Sequence, residues 1–95
     1  MSRYIALLSF TEKGSSQIKE STSRAHAFDT LAAKSRVTVE GQYWTIGSHD
    51  GVLVLKAESE DRILHLLAEL ASLGFVRTES LRAFTDTEFD AVLKA

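Results

Sequence analysis

Two short stretches of the chain are apolar on both of their alternating faces, and they constrain the fold more than any other feature. The first covers residues 4–10 and the second covers residues 52–55. Side chains of a β-strand alternate between the two faces of its sheet, so a strand without a polar face is covered on both sides. Both stretches are therefore predicted to be central strands.

Two further strands have a more polar pattern. Residues 36–40 alternate as a half-buried strand does, and Gly41 interrupts the pattern before residues 42–46. A bulge or sharp bend is predicted at Gly41. Residues 75–84 are polar enough in their first half to form an edge strand. Near Ser80 the apolar residues change from one set of alternate positions to the other, which predicts a second bulge or a curl.

The first helix follows residues 11–19, a polar stretch that is predicted to form a turn or one loose helical turn. Ser21 and Thr22 are the candidate N-caps of this first helix. Its two faces differ in polarity. The apolar stripe consists of Ala25, Phe28, Ala32 and Ser35, and the polar face carries Arg24, His26, Thr30 and Lys34.

Two more helices have clear start signals. Ser59 is predicted to cap the second helix, which ends at Gly74. Thr85 is predicted to cap a short terminal helix over residues 86–94. The apolar stripe of the second helix is Ile63, Leu66, Leu67, Leu70 and Leu73, and that of the terminal helix is Phe89, Val92 and Leu93.

The predicted order is βαββαβ with a tail helix, which is the ferredoxin-like split βαβ motif of the α+β class. It forms one domain over residues 1–95. In this topology the first and third strands of a four-stranded antiparallel sheet are central, in agreement with the apolar pattern. Right-handed crossovers place both helices on the same face.

The other face of the sheet then lacks a cover, although both central strands present apolar side chains to it. Monomers rarely leave such a large apolar patch exposed. A second copy packed sheet against sheet would cover it, which predicts a homodimer or a higher even-numbered oligomer. The alternative is that the tail helix folds over this face.

Composition excludes several classes of partner. The net charge is −2, and the eleven Lys and Arg residues are scattered along the chain, so a nucleic-acid surface is not expected. No run is long enough for a membrane span or a signal sequence, and the predicted location is cytoplasmic. The chain has no cysteine and three dispersed histidines, so neither a metal nor a cofactor is expected.

The most distinctive stretch, residues 41–57, reads as a β-hairpin. Gly47 and Gly51 flank Ser48-His49-Asp50, and both glycines make positive φ angles available at a tight turn. Tyr43 and Trp44 precede the turn, and their alternation places one ring on each face of the sheet.

Several runs resemble the GYD domain family of small bacterial proteins, which have the dimeric α+β barrel fold. They are Tyr43-Trp44-Thr45, Gly47, Asp50-Gly51, Leu73-Gly74, Val76-Arg77-Thr78-Glu79 and Leu81-Arg82-Ala83-Phe84. The resemblance extends over nearly the whole chain. It implies the fold and the dimeric assembly, whereas the family has no settled biochemical function.

The chain departs from the family at two places. The turn that gives the family its name, Gly-Tyr-Asp, is Ser48-His49-Asp50 here, so only the aspartate is kept. The glycine pair that members often carry after the first helix is replaced by Arg36 and Val37. Any role of the turn tyrosine therefore does not transfer to this chain.

Six residues are candidates for a site. His49 and Asp50 are candidate proton acceptors, although a turn aspartate more often binds backbone amides. Tyr43 and Trp44 are candidate pocket walls, although strand aromatics more often serve packing. Arg77 and Glu79 share one face of the last strand and could pair with each other. An arginine inside a cavity would need a carboxylate partner, for which Asp50 and Glu79 are the candidates, and without one it would bind an anion.

Two functions are consistent with these residues. The first is a small ligand-binding or regulatory module with a pocket between sheet and helices. The alternative is a cofactor-independent enzyme, similar to a monooxygenase or isomerase, that acts on a small organic molecule, a hypothesis based on fold analogy alone. Catalysis requires at least two of His49, Asp50, Trp44 and Arg77 to converge in one cavity.

Overall fold

A four-stranded antiparallel sheet forms the centre of the computed structural model, which describes all residues from Met1 to Ala95. The strands are β1 (Ser2–Phe10), β2 (Thr38–Trp44), β3 (Gly51–Ala57) and β4 (Val76–Ala83), in the spatial order β2-β3-β1-β4. The prediction that β1 and β3 are central is confirmed. The topology is the predicted ferredoxin-like one.

The sheet has two faces: the helix face, against which the helices pack, and the open face on the opposite side. On β1, Ala6 lies opposite Leu53 of β3 and Ser80 of β4 on the helix face. The open face presents the alternate residues, and its apolar members are Ile5, Leu7, Tyr43, Val52, Val54, Leu81 and Ala83.

The helices are α1 (Glu12–Ser16), α2 (Ser21–Lys34), α3 (Glu60–Ser72) and α4 (Asp86–Lys94), with a 3-10 turn at Ile18–Glu20. The predicted N-caps of the first long helix are wrong. Ser21 already lies inside α2, because the 3-10 turn leads directly into the helix and leaves Glu20 at the cap position without a side-chain hydrogen bond.

The C-terminus of α2 ends in a Schellman motif. The amide of Val37 donates to Ala32 O at 2.9 Å and that of Arg36 donates to Ala33 O at 3.1 Å. Arg36 lies between these bonds at φ 58°, in the left-handed region that favours glycine. Arg36 therefore occupies a strained backbone position.

The other helix ends follow the sequence signals. Ser59 is the N-cap residue of α3, although its side chain makes no capping hydrogen bond, and Gly74 follows the helix at φ 81°. At α4 the predicted cap is complete: Thr85 Oγ1 accepts from the Glu88 amide at 3.1 Å, and Glu88 Oε1 accepts from the Thr85 amide at 2.8 Å.

The hydrophobic core lies entirely between the helix face and the helices α2 and α3. Leu55, Ile63 and Leu66 are its largest fully buried side chains. The complete cluster is Ala6, Phe28, Ala32, Val37, Leu53, Leu55, Ala57, Ile63, Leu66 and Leu67. No member of this cluster lies on the open face.

One predicted bulge is present and the other is absent. The register of β2 shifts between Val39 and Gly41, so Glu40 is the extra residue. On β4 the register with β1 runs without a break from Val76 to Ala83, so the bulge predicted near Ser80 is wrong. The apolar residues change to the other set of alternate positions because Arg82 takes a helix-face position.

Helix α4 does not cover the open face. None of its residues is buried, and Phe89, Val92 and Leu93 are 55%, 58% and 68% exposed. The alternative explanation for the second apolar face, a tail helix folded over it, is therefore not what the structure has.

None of the four helices has both the length and the apolar character needed to cross a membrane.

Candidate binding cavity

An apolar cavity of about 420 Å³ opens between the helix face of the sheet and the helices. Of its 19 lining residues 14 are hydrophobic. Leu8 and Leu53 come from the sheet, Phe28 from α2, Leu70 from α3 and Phe75 from the segment before β4. Its volume lies in the range that small-molecule sites usually have.

Few polar side chains interrupt the apolar wall. They belong to Ser21 and Arg24 of α2, Gln42 of β2 and Asp50 of the β2–β3 loop. Arg24 is the single basic residue and Asp50 the single acidic residue of the lining. This combination of an apolar wall and few polar groups is typical of a site that binds a small molecule.

The two strand aromatics separate as predicted. Trp44 lies opposite Gly51 on the helix face and lines the cavity, with half of its surface exposed. Tyr43 lies opposite Val52 on the open face, where a Cβ built at Gly41 would be 2.8 Å from its ring atom Cε2. Tyr43 also borders the cavity, but its phenol ring covers Gly41, and only Trp44 presents its ring to the helix side.

Asp50 connects the hairpin loop to β1. Its carboxylate Oδ2 accepts a hydrogen bond from the Phe10 amide at 2.8 Å, and its own amide donates to Leu8 O at 2.7 Å. Asp50 does accept from a backbone amide, but the expectation of a nearby amide within the turn is wrong, because the partner Phe10 belongs to a distant strand.

The hairpin loop needs only one of its glycines for a positive φ. Gly47 has φ 137°. Gly51 is instead the first residue of β3, and it is buried, with a built Cβ only 3.0 Å from Tyr43 O. The predicted positive φ at Gly51 is wrong, because close packing against the neighbouring strand is what requires glycine there.

Arg24 is the cavity residue that the sequence pattern misplaced. Its guanidinium carbon lies 4.3 Å from the centre of the Phe75 ring, Nη1 donates to Gln17 O at 2.9 Å, and Nη2 donates to Ser21 Oγ at 3.3 Å. Its assignment to the polar face of the helix is wrong. The available signal was its spacing of four residues from the buried Phe28, which places both on one side of α2.

The remaining candidates lie outside the cavity lining. His49 Nε2 is 3.5 Å from Glu79 Oε2, and its Nδ1 is 3.3 Å from Ser48 Oγ. Arg77 and Glu79 share the open face, as predicted. Arg77 is exposed and has no carboxylate within 4.0 Å.

A charged network occupies the opposite end of the sheet. Arg3 Nε lies 2.7 Å from Glu40 Oε1, and Arg3 Nη1 lies 3.5 Å from Glu88 Oε1. The hydrogen bond from Arg3 lowers the pKa of Glu40, and the backbone hydrogen bond from Thr85 lowers the pKa of Glu88. These shifts stabilise the bulge and α4, and they lie away from the cavity.

Tyr4 belongs to the same end of the sheet. Its hydroxyl donates to Glu60 Oε1 at 3.1 Å, and desolvation together with this hydrogen bond raises its pKa. Nowhere in the structure do three His, Asp or Glu side chains come together in a way that could hold a metal ion.

Fold and site together define an α+β domain of ferredoxin-like topology with a one-sided core and an apolar cavity beneath its helices. The chain belongs to the GYD domain family, whose sequence pattern matches residues 4–93. No curated protein matches the chain in sequence.

Two solved structures from Mycobacterium tuberculosis share the fold. The crystal structure of MtbAldR is 14% identical with a TM-score of 0.65, covering 90% of this chain and 52% of that one. The solution structure of the C-terminal domain of MgtC is 18% identical with a TM-score of 0.55, covering 87% of this chain and 88% of that one. The chain therefore spans about half the length of MtbAldR.

Proposed function

We propose that this protein is a small-molecule-binding module whose ligand occupies the cavity between the sheet and the helices. The proposal rests on one observation, the cavity itself. It has a volume of about 420 Å³, and 14 of the 19 residues that line it are hydrophobic. Protein interiors are closely packed, and each apolar atom gains van der Waals contacts with its neighbours. A ligand in a cavity of this size would give the lining residues such contacts.

The positions of the titratable residues favour binding over catalysis. Asp50 and Trp44 both line the cavity, so two of the four catalytic candidates do converge there. The Asp50 carboxylate, however, already accepts a hydrogen bond from Phe10. His49, a candidate proton acceptor, and Arg77, a candidate anion-binding group, are not part of the lining. An enzyme would need such a partner beside Asp50.

The proposal includes a homodimer formed through the open face. The centre of this face is apolar, because Ile5, Leu7 and Val54 lie next to one another there. Two further apolar side chains of the face are largely exposed, Tyr43 at 61% and Leu81 at 48%. Because α4 leaves it uncovered, a second copy is the partner whose surface matches it in shape and polarity. Arg77 and Glu79 would then lie at the rim of this interface, and the assembly would function in the cytoplasm.

The binding proposal is tested with octan-1-ol as a neutral apolar probe. Trp44 is the only tryptophan and lines the cavity, so its emission should shift to shorter wavelength as the probe excludes water. The thermal midpoint should rise with probe concentration, as it does for any ligand selective for the folded state.

A matched pair of variants locates the binding. Ala25→Phe introduces a ring into the cavity lining and should abolish both responses, whereas Ala68→Phe, at an exposed position of α3 outside the lining, should keep them. If wild-type protein shows neither response, or if Ala25→Phe retains both, the cavity is not the binding site.

Native mass spectrometry tests the assembly. We expect an even-numbered oligomer for the wild type and a monomer for Val54→Lys, which places a charge at the centre of the open face. Leu64→Lys, at a side chain 69% exposed on α3, is the control and should stay oligomeric. A monomeric wild type would contradict the proposed dimer and leave the binding proposal intact.

A further inference from the structure

We propose that Arg24 makes the cavity selective for apolar monocarboxylates, such as medium-chain fatty acids or aryl carboxylic acids. This inference rests on the binding function proposed above and names the class of ligand. It starts from the position of the only basic residue in the cavity lining.

The guanidinium of Arg24 has unused hydrogen-bonding capacity. Of the five N–H donors that an arginine carries, two are accounted for by Gln17 O and Ser21 Oγ. Both acceptors are neutral, and no carboxylate of the chain lies within 4.0 Å of Arg24. A half-buried arginine without a carboxylate partner is a ready binding group for an external anion.

The Arg24 side chain is held in place before any ligand arrives. Its guanidinium stacks over the Phe75 ring at 4.3 Å, and its two hydrogen bonds hold it against the chain around the start of α2. Phe75 also lines the cavity. Less conformational entropy is lost on binding when the recognising group is already ordered.

The surroundings favour a single negative charge on an apolar body. A planar guanidinium matches a carboxylate with two parallel hydrogen bonds. No second basic residue lines the cavity, so the second negative charge of a phosphate or a dicarboxylate would have no cationic partner there. The apolar wall accommodates the hydrocarbon portion of the ligand.

The experiment compares octanoate with octan-1-ol, which share a chain length and differ in charge. Dissociation constants are measured at neutral pH by titrating the Trp44 emission of wild type, Arg24→Gln and Arg62→Gln. Arg62 is the control, because it lies on α3 outside the cavity lining and has no ion pair.

For the wild type we expect octanoate to bind about tenfold more tightly than octan-1-ol, the effect of one charged hydrogen-bonding group. Arg24→Gln should lose this preference and keep its affinity for octan-1-ol, whereas Arg62→Gln should retain both. Equal binding of the two probes to the wild type would overturn the inference and leave the proposed function standing. If neither probe binds to the wild type, the proposed function itself fails.

The wild-type comparison decides the question even if Arg24→Gln does not fold. In that case Arg24→Lys serves as the second variant, since it keeps the charge and loses the planar fork. Its preference for octanoate should be weaker than that of the wild type. An undiminished preference in Arg24→Lys would contradict bidentate recognition by the guanidinium.

Discussion

Gly14 packs so closely against the carbonyl oxygen of Phe75 that a Cβ built at Gly14 would overlap this oxygen. The contact belongs to a junction where the chain leaving β1 meets the chain entering β4. Thr11 Oγ1 donates to Gly74 O at 2.5 Å, and the Thr11 amide donates to Phe75 O at 3.0 Å. The junction positions Phe75, which forms part of the cavity wall.

Gly14→Ala is expected to lower the free energy of unfolding by about 2 kcal/mol, because the clash is with backbone and cannot be relieved by a side-chain rotation. Urea denaturation measures the loss. Ser15→Ala, at the exposed neighbouring position, should change stability by less than about 0.5 kcal/mol. Equal stability of Gly14→Ala and Ser15→Ala would show that the junction can open without cost.

Asp50→Ala should cost about 1–3 kcal/mol, because it leaves the partly buried Phe10 amide without its acceptor. Asp50→Asn should cost less, since an amide oxygen can still accept the hydrogen bond. Chemical denaturation of both variants, with Ser48→Ala at the exposed loop tip as the control, gives the comparison. If Asp50→Ala were as stable as the control, the bond to Phe10 would contribute nothing to the fold.

Arg36→Gly is expected to stabilise the protein by about 0.5–1 kcal/mol. The left-handed φ of 58° is strained for arginine and free of strain for glycine. The free energy gained by removing this strain exceeds the cost of the greater conformational entropy that glycine has in the unfolded chain. The Arg36 side chain is exposed, so its loss removes little packing. Lys34→Gly, two residues earlier and helical, should have the opposite sign; a thermal melt of both variants distinguishes strain relief from a general effect of glycine.

Glu88 should make α4 sensitive to acid. Its pKa is lowered in the folded protein from an ordinary value of 4.5, first by the Thr85 backbone hydrogen bond. A lowered pKa contributes stability that is fully present above the ordinary value and is lost as pH falls through the folded value. The protection of the Phe89 amide from hydrogen exchange, which depends on its 2.9 Å bond to Thr85 O, should therefore fall below about pH 4.5.

Glu88→Gln should weaken this pH dependence, because glutamine can still complete the capping box but does not titrate. Asp90→Asn removes a carboxylate from the same helix that pairs with Lys94 instead, and it should leave the acid response of Phe89 in place. An unchanged response in Glu88→Gln would assign the acid sensitivity to another group.

Side-chain parity was sufficient to predict the order of the strands. β1 and β3 are apolar on both faces because each has a neighbouring strand on either side and packs against helices on one face. The same rule failed at Ser80, because the charged Arg82 takes a helix-face position on the edge strand β4. There its guanidinium stacks over the Phe84 ring at 4.3 Å and donates to Arg3 O at 3.2 Å, which a polarity pattern does not anticipate.

The candidate site was only partly predictable. Strand alternation, which is a local property, predicted that the rings of Tyr43 and Trp44 lie on opposite faces, but it did not say which ring faces the helices. Asp50 was named as a turn residue, whereas its partner Phe10 lies on a distant strand that turn chemistry does not predict. Arg24 was missed because Phe75, the cavity residue over which its guanidinium stacks, is distant in sequence and meets it only through tertiary packing. Polarity alone assigns a charged helix residue to solvent, whereas a long side chain can lie along an apolar wall and keep its charged end beside polar atoms.

Because the core lies on only one face of the sheet, folding of the chain does not depend on assembly through the other face. All ten core residues lie between the sheet and its helices, so a single chain can complete its own interior before any other molecule arrives. Dilution of an oligomer of this kind would release folded monomers rather than unfolded chains. If the proposed dimer forms, substitutions on the open face would change assembly without removing any residue of the core.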